Sequence, residues 1–187
     1  METAVAAAQV LCHASQGQWG DVFAALRDRQ VAVSNDAIGG HLLAIASGRQ
    51  SFSAVPGPCA SSTFALLTLL QNGANPNAYD GYGTALHYAC LNGNLGHVCL
   101  LLNWGSNAGL STVDGQWPLA LHLKGERCSW GSITSLVGLL GMQGAWRWRQ
   151  EARVAAAMGR QDVADMVLCA KNVSVAKQSW MKACVCG

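Results

Sequence analysis

Charge is what this chain has least of. Of its 187 residues only 12% are Asp, Glu, Lys or Arg, about half the share found in an average soluble domain. The formal net charge is +2, too small a field to gather a polyanion by electrostatics alone. Proline is scarce, with 4 residues, two of them in Pro56-Gly57-Pro58. Long apolar runs are missing as well. Gly, Asn or Ser interrupts every hydrophobic stretch before the ~18 residues that a spanning helix requires. There is no Gly-x-x-x-x-Gly-Lys loop, no Gly-x-Gly-x-x-Gly turn and no His-Glu-x-x-His helix, which closes the usual motif routes to phosphate, dinucleotide and zinc-protease chemistry. The eight cysteines include no Cys-x-x-Cys pair, so neither a zinc knuckle nor a dithiol redox site is expected.

What the chain does have is apolar material: 51% hydrophobic residues and seven tryptophans. That is ample for the core of one domain. A surface so poor in charge is adhesive, which points to a partner covering part of it.

The apolar residues are grouped, and the groups recur. Within Gly81–Asp114, Thr84-Ala85-Leu86-His87 opens a first helix and Gly93 breaks it. Val98-Cys99-Leu100-Leu101-Leu102 forms a second helix, which Gly105 ends. A unit this short cannot bury its own apolar face and needs neighbours stacked on both sides. Trp117-Pro118-Leu119-Ala120 stands 33 residues after the Thr84 opening, and Gly73 stands 32 residues before Gly105. Gly17 and Gly159 lie 76 and 66 residues from Gly93. The opening Thr84-Ala85-Leu86-His87-Tyr88-Ala89 and the turn Asn72-Gly73-Ala74-Asn75-Pro76-Asn77-Ala78-Tyr79-Asp80 resemble the ankyrin repeat, whose opening is Thr-Pro-Leu-His-x-Ala. The resemblance is clearest over residues 62–123 and departs from the pattern at Ala85, where the family has proline.

The fold class implied is an all-α solenoid of four to five helix-turn-helix units. The units are expected at about 5–35, 39–80, 81–114, 115–149 and 150–170, with 171–187 as a tail. Pro56, Gly57 and Pro58 cannot continue a helix, so 51–59 reads as a loop inserted in the second unit. About five extra residues fall around Gly125–Gly131 in the fourth. The first and last units diverge as caps do.

No constellation suggests catalysis, a cofactor or a bound metal. Cys90 and Cys99 read as core. Cys184-Val185-Cys186 stands near the end with Lys177 and Lys182 upstream, but Val-Cys-Gly is a poor prenylation ending, and a frayed tail is the simpler reading. His87 falls where the family pattern has its histidine, which implies a structural role tying turns together. His97 falls at a position that is often polar and faces the next unit. His13, His41, His97 and His122 share no acid. With Glu2 and no basic stretch ahead of its alanines, the beginning does not read as a secretory signal. An intracellular setting, cytoplasmic or nuclear, with reduced thiols, follows as an expectation. Asn172-Val173-Ser174 is then a chance match to a glycosylation site.

The resemblance implies a non-catalytic protein-binding module, a scaffold, adaptor or inhibitor, which holds a protein partner of unnamed identity on the concave face made by its turns and first helices. The residues expected there are Tyr79, Asp80, Tyr82, Val113, Asp114, Gln116 and Trp117, the last equally suited to packing. Trp146, Arg147, Trp148 and Arg149 form a second candidate. They suit inter-unit packing, a protein hot spot, or, less well, stacked bases and phosphates. The module alone is expected to be monomeric. The alternative is an accessory subunit of a larger enzyme, such as a ubiquitin-ligase substrate receptor. That use needs a C-terminal helical box, and Val163–Val185 lacks the Leu-Cys-Arg type of pattern. A fragment or degenerate copy without a defined role is a third reading.

Overall fold

Each apolar block of the sequence becomes one helix, and the helices pair. The computed structural model describes residues 2–28, 36–48, 60–125, 128–141 and 148–171. The pairs are α1 (Glu2–Ser15) with α2 (Trp19–Arg27), α3 (Asp36–Ala46) with α4 (Ala60–Gln71), α5 (Ala85–Leu91) with α6 (Leu95–Asn103), and α7 (Pro118–Lys124) with α8 (Trp130–Gly141). A fifth pair joins α9 (Trp148–Ala157) to the helix over residues 161–171, α10. Among the described residues there is no strand, and no helix is long and apolar enough to cross a membrane. The fold is an all-α repeat solenoid.

First helices pack on first helices, in the order α1, α3, α5, α7, α9, while α4, α6 and α8 form a second row. Phe23 of α2 meets Phe64 of α4 edge-on, ring centroids 6.0 Å apart. Each unit therefore buries its apolar stripe against its neighbours. One continuous core runs from Val10 and Val22 through Leu42, Leu66, Leu86, Leu101, Leu119 and Leu136 to Val163 and Val167.

The helix breaks share one device. After α5, Gly93 adopts φ +65°, its N–H donates to the Cys90 carbonyl, and that of Asn94 donates to the Ala89 carbonyl. This is a Schellman ending, whose left-handed residue favours glycine. Gly17, Gly48 and Gly159 also take positive φ just after α1, α3 and α9, which fixes the equivalence of the first, second, third and fifth pairs. The fourth pair differs: Gly125 has φ −72°, and a Cβ there would press on the Leu91 carbonyl oxygen. Here glycine is required by close approach of α7 to the end of α5, not by backbone handedness. The inserted loop 51–59 lies outside the described residues. The fifth pair begins at Trp148, inside the span assigned from sequence to the fourth unit.

Helix starts are capped by different means. Asn94 Oδ1 accepts from His97 N, 3.2 Å, at the start of α6. Ser129 and Ser132 cap α8 reciprocally, Ser132 Oγ accepting from Ser129 N and Ser129 Oγ from Ser132 N. At α7 the N-cap is Trp117, which supplies no side-chain hydrogen bond, and Pro118 follows it. The proline removes one orphan N–H, and Glu151, reaching across from α9, accepts the next from Leu119 at 3.3 Å. Its carboxylate is fully buried, so the last unit caps the one before it. Glu151→Ala should therefore lower the stability of the last two units by about 1–3 kcal/mol. Hydrogen exchange would show it as lost protection confined to 118–171; unchanged protection there would refute the cap.

Candidate functional site

The turns between units are built by backbone and side-chain hydrogen bonds that engage Asn77, Tyr79, Asp80, Asn107, Thr112 and Gln116. Asp80 sits at the start of the loop entering α5. Its Oδ1 accepts from the N–H groups of Tyr82 and Gly83, both at 3.0 Å, and its Oδ2 accepts from the Tyr88 hydroxyl at 2.8 Å. Asp80 N–H in turn donates to the Gly83 carbonyl. With 3% exposure, Asp80 cannot meet a partner. Its expected place on the contact surface is corrected: three donors converge on the carboxylate and hold it inside.

Adjacent turns are then stitched together. Val113 N–H donates to the Tyr82 carbonyl at 2.9 Å, and the Tyr79 hydroxyl donates to the Ser111 carbonyl at 2.6 Å. Asn77 donates through Nδ2 to the Gly105 carbonyl and accepts through Oδ1 from Asn107 N. His87, buried in α5, accepts at Nδ1 from Thr84 N at 3.1 Å. Its Nε2 therefore carries the proton and donates to the Leu110 carbonyl in the next turn, also at 3.1 Å. Burial pushes the imidazole down to about 4, although the Leu110 carbonyl and the Asp80 charge work against that shift. His87 is a neutral tie between units.

The opposite end of the units is tied in the same manner. Asn92 Nδ2 donates to the carbonyls of Ser47 and Gly48 at the end of α3, at 3.2 and 3.0 Å. His122 Nδ1 donates to the Cys90 carbonyl near the end of α5, 2.8 Å away. Its Nε2 meets Ser132 Oγ at 2.9 Å. In both places a polar side chain of one unit satisfies the orphan carbonyls that end the preceding first helix.

Beside these engaged groups, two large apolar or aromatic side chains project from the turns. Val113 is 66% exposed and Tyr79 38%, while Tyr82 and Trp117 are half-buried and Asp114 is exposed. The Tyr82 ring leans on Tyr88 with centroids 6.4 Å apart. Gln116 is half-buried, and its Oε1 accepts from Lys124 Nζ at 2.8 Å. Burial and a carbonyl acceptor keep Tyr79 an engaged hydroxyl, and burial raises its pKa. The structure thus brings Tyr79, Tyr82, Val113, Asp114, Gln116 and Trp117 onto two linked turns.

Of the Trp/Arg cluster, the described members Trp148 and Arg149 are not part of that surface. Trp146 and Arg147 lie outside the described residues. Trp148 is half-buried against the core, its ring so near Gly141 that a Cβ there would come within 2.7 Å. Trp148 joins units, as the packing reading expected. Arg149 is exposed and lines a separate groove on the last pair.

Two further expectations change. Cys99 was expected in the core and is exposed, because the buried stripe of α6 runs through His97, Val98, Leu101 and Leu102. His97 was expected to face the following unit. It is buried, and its Nε2 meets Thr63 Oγ1 of α4 in the preceding one at 2.9 Å. Burial lowers its pKa. Cys90 is buried as expected, and burial, reinforced by the charge of Glu151, raises its thiol pKa far above the usual range. Among the described residues no three His, Cys, Asp or Glu side chains are placed to hold a metal ion.

Sequence reasoning missed Glu151, Asn92 and His122. The one available signal was His122 inside the apolar pattern of α7, since a buried polar group is costly unless it is bonded; Glu151 stands among Arg149, Gln150 and Arg153, and Asn92 follows α5 as its cap. Residues 69–122 match the family model described as ankyrin repeats (many copies).

Proposed function

We propose, from the premise that this chain belongs to the ankyrin-repeat proteins, that it is a non-catalytic scaffold, adaptor or inhibitor. Ankyrin repeats are general protein-interaction modules and typically not catalysts. The partner is a protein held across the linked turns at Tyr79, Tyr82, Val113, Asp114, Gln116 and Trp117. The single observation that carries this reading is the contrast within the turns: Asp80 and the Tyr79 hydroxyl are bonded inward or sideways, while Val113 and the Tyr79 ring stand out to solvent beside the exposed Asp114. Apolar and aromatic side chains on a braced backbone lose little entropy when covered. The row of units, about 5–170, acts as one binding body.

The experiment is capture of partners from the native cell with the wild-type chain and with a Tyr82→Ala, Val113→Asp, Trp117→Ala variant. A control carries Asn103→Arg on the exposed side of α6. The turn variant should lose its principal partner by at least about tenfold, the loss of roughly 1.4 kcal/mol or more of contact energy, with the helical circular dichroism retained. The control should keep the partner. Equal capture by all three would exclude these turns as the binding face.

A further inference from the structure

Among the described residues the row of first helices runs from α1 to α9, and the grooves at its two ends carry opposite charge. At the α1 end, α1 and α2 form a shallow groove lined by Ala6, Val10 and Ala24 together with His13, Asp21 and Asp28. At the other end, α9 and α10 form a groove lined by Ala156, Ala164 and Leu168 together with Arg149, Arg153 and Gln150. One groove thus presents two carboxylates and the other two guanidinium groups. Arg27 and Asp165, exposed on α2 and α10, fall outside the two sets of lining residues.

We propose that the chain associates head to tail with copies of itself, the α1–α2 end of one molecule seated on the α9–α10 end of the next. The interior of the row shows how such a contact works, because each pair is already completed by a neighbouring pair laid on its apolar face. Gly40 of α3 lies against the Ala78–Tyr79 backbone, where a Cβ would come within 2.9 Å of the Tyr79 carbonyl oxygen. Close approach of that kind needs small side chains, and alanines line both end grooves. The opposed charges set the polarity. Arg149 and Arg153 attract Asp21 and Asp28, whereas two copies meeting by like ends bring like charges together. Leu168, 41% exposed, supplies an apolar knob to be covered. A contact between two different faces leaves a dimer with one unused face at each end, so assemblies longer than dimers follow, whether open or closed into a ring. This departs from the monomer expected from sequence.

Sedimentation analysis of the full chain over a range of concentrations tests the proposal. Mass should climb past the dimer as concentration rises, and fall back when salt is raised from about 50 to about 500 mM, because exposed charge pairs are screened. Two charge-reversed proteins separate the faces: Asp21→Arg with Asp28→Arg, and Arg149→Asp with Arg153→Asp. Each alone should stay monomeric with unchanged helix content. Mixed one to one they should associate again, since each retains the face the other lacks. If reversal perturbs folding, the neutral pairs Asp21→Asn with Asp28→Asn and Arg149→Gln with Arg153→Gln should each weaken association several-fold. A wild-type monomer at all concentrations overturns the proposal. So does association that survives reversal, or a mixture that remains monomeric when the wild type associates.

Discussion

Leu86→Ala is expected to lower the stability of the array by about 2–5 kcal/mol, the largest effect of any single truncation in the central unit apart from Leu101→Ala. Both side chains are fully buried in α5 and α6, in the continuous core. Each touches a unit whose neighbours depend on it on both sides, because α5 packs on α3 and α7 while α6 packs on α4 and α8. In a stacked repeat most of the stabilisation resides in such interfaces. A cavity at Leu86 therefore weakens two of them at once. Urea unfolding should shift to lower midpoint, and hydrogen exchange should show α1–α4 and α7–α10 opening as separate units. A change below about 0.5 kcal/mol, the size of an ordinary surface substitution, would mean that Leu86 does not lie at the centre of the stack.

The second large effect is acid destabilisation through His87. Its imidazole falls from an ordinary 6.5 to about 4 in the folded chain, chiefly through burial. The unfolded chain therefore takes up the proton first as pH drops. The stabilisation is whole above about pH 6.5, declines between there and about pH 4, and changes no further below that. The full loss approaches about 3 kcal/mol, taken from the size of the shift. His97, also lowered by burial, adds in the same direction. The structural reason is specific: Nδ1 accepts from Thr84 N, so a second proton on the ring has no acceptor and breaks that bond. Unfolding free energy measured between pH 7 and 4 should fall steeply in the wild type and less steeply in His87→Gln. A His87 proton resonance titrating near 6.5 in the folded chain would sink this account.

The repeat frame was legible in sequence because it depends on local chemistry. Gly93, Gly105 and Gly73 punctuate helices wherever they occur, and Thr84-Ala85-Leu86-His87 and the Leu100–Leu102 run specify helix faces within a few residues. His87 was readable through its place in a known pattern. Cys99 was misread because one turn of α6 admits two apolar stripes. His97 took the buried position, a choice stabilised by Thr63 some 34 residues earlier. Asp80 was misread for a related reason. An aspartate in a turn with two tyrosines suggests a surface, and only the convergence of Tyr82 N, Gly83 N and Tyr88 Oη on its oxygens removes it from one.

Sequence alone therefore determined the helical punctuation and the repeat of paired helices, since each follows from backbone freedom and side-chain type over a span of a turn or two. Tertiary structure alone decided which polar groups are consumed. Asn92 reaching the end of α3, His122 reaching the end of α5, and Glu151 completing the start of α7 all join adjacent units, across 45, 32 and 32 residues of sequence. Such bonds have no local signature. They exist because stacking buries orphan helix ends, and a buried donor or acceptor must be met by whatever side chain the neighbouring unit brings there.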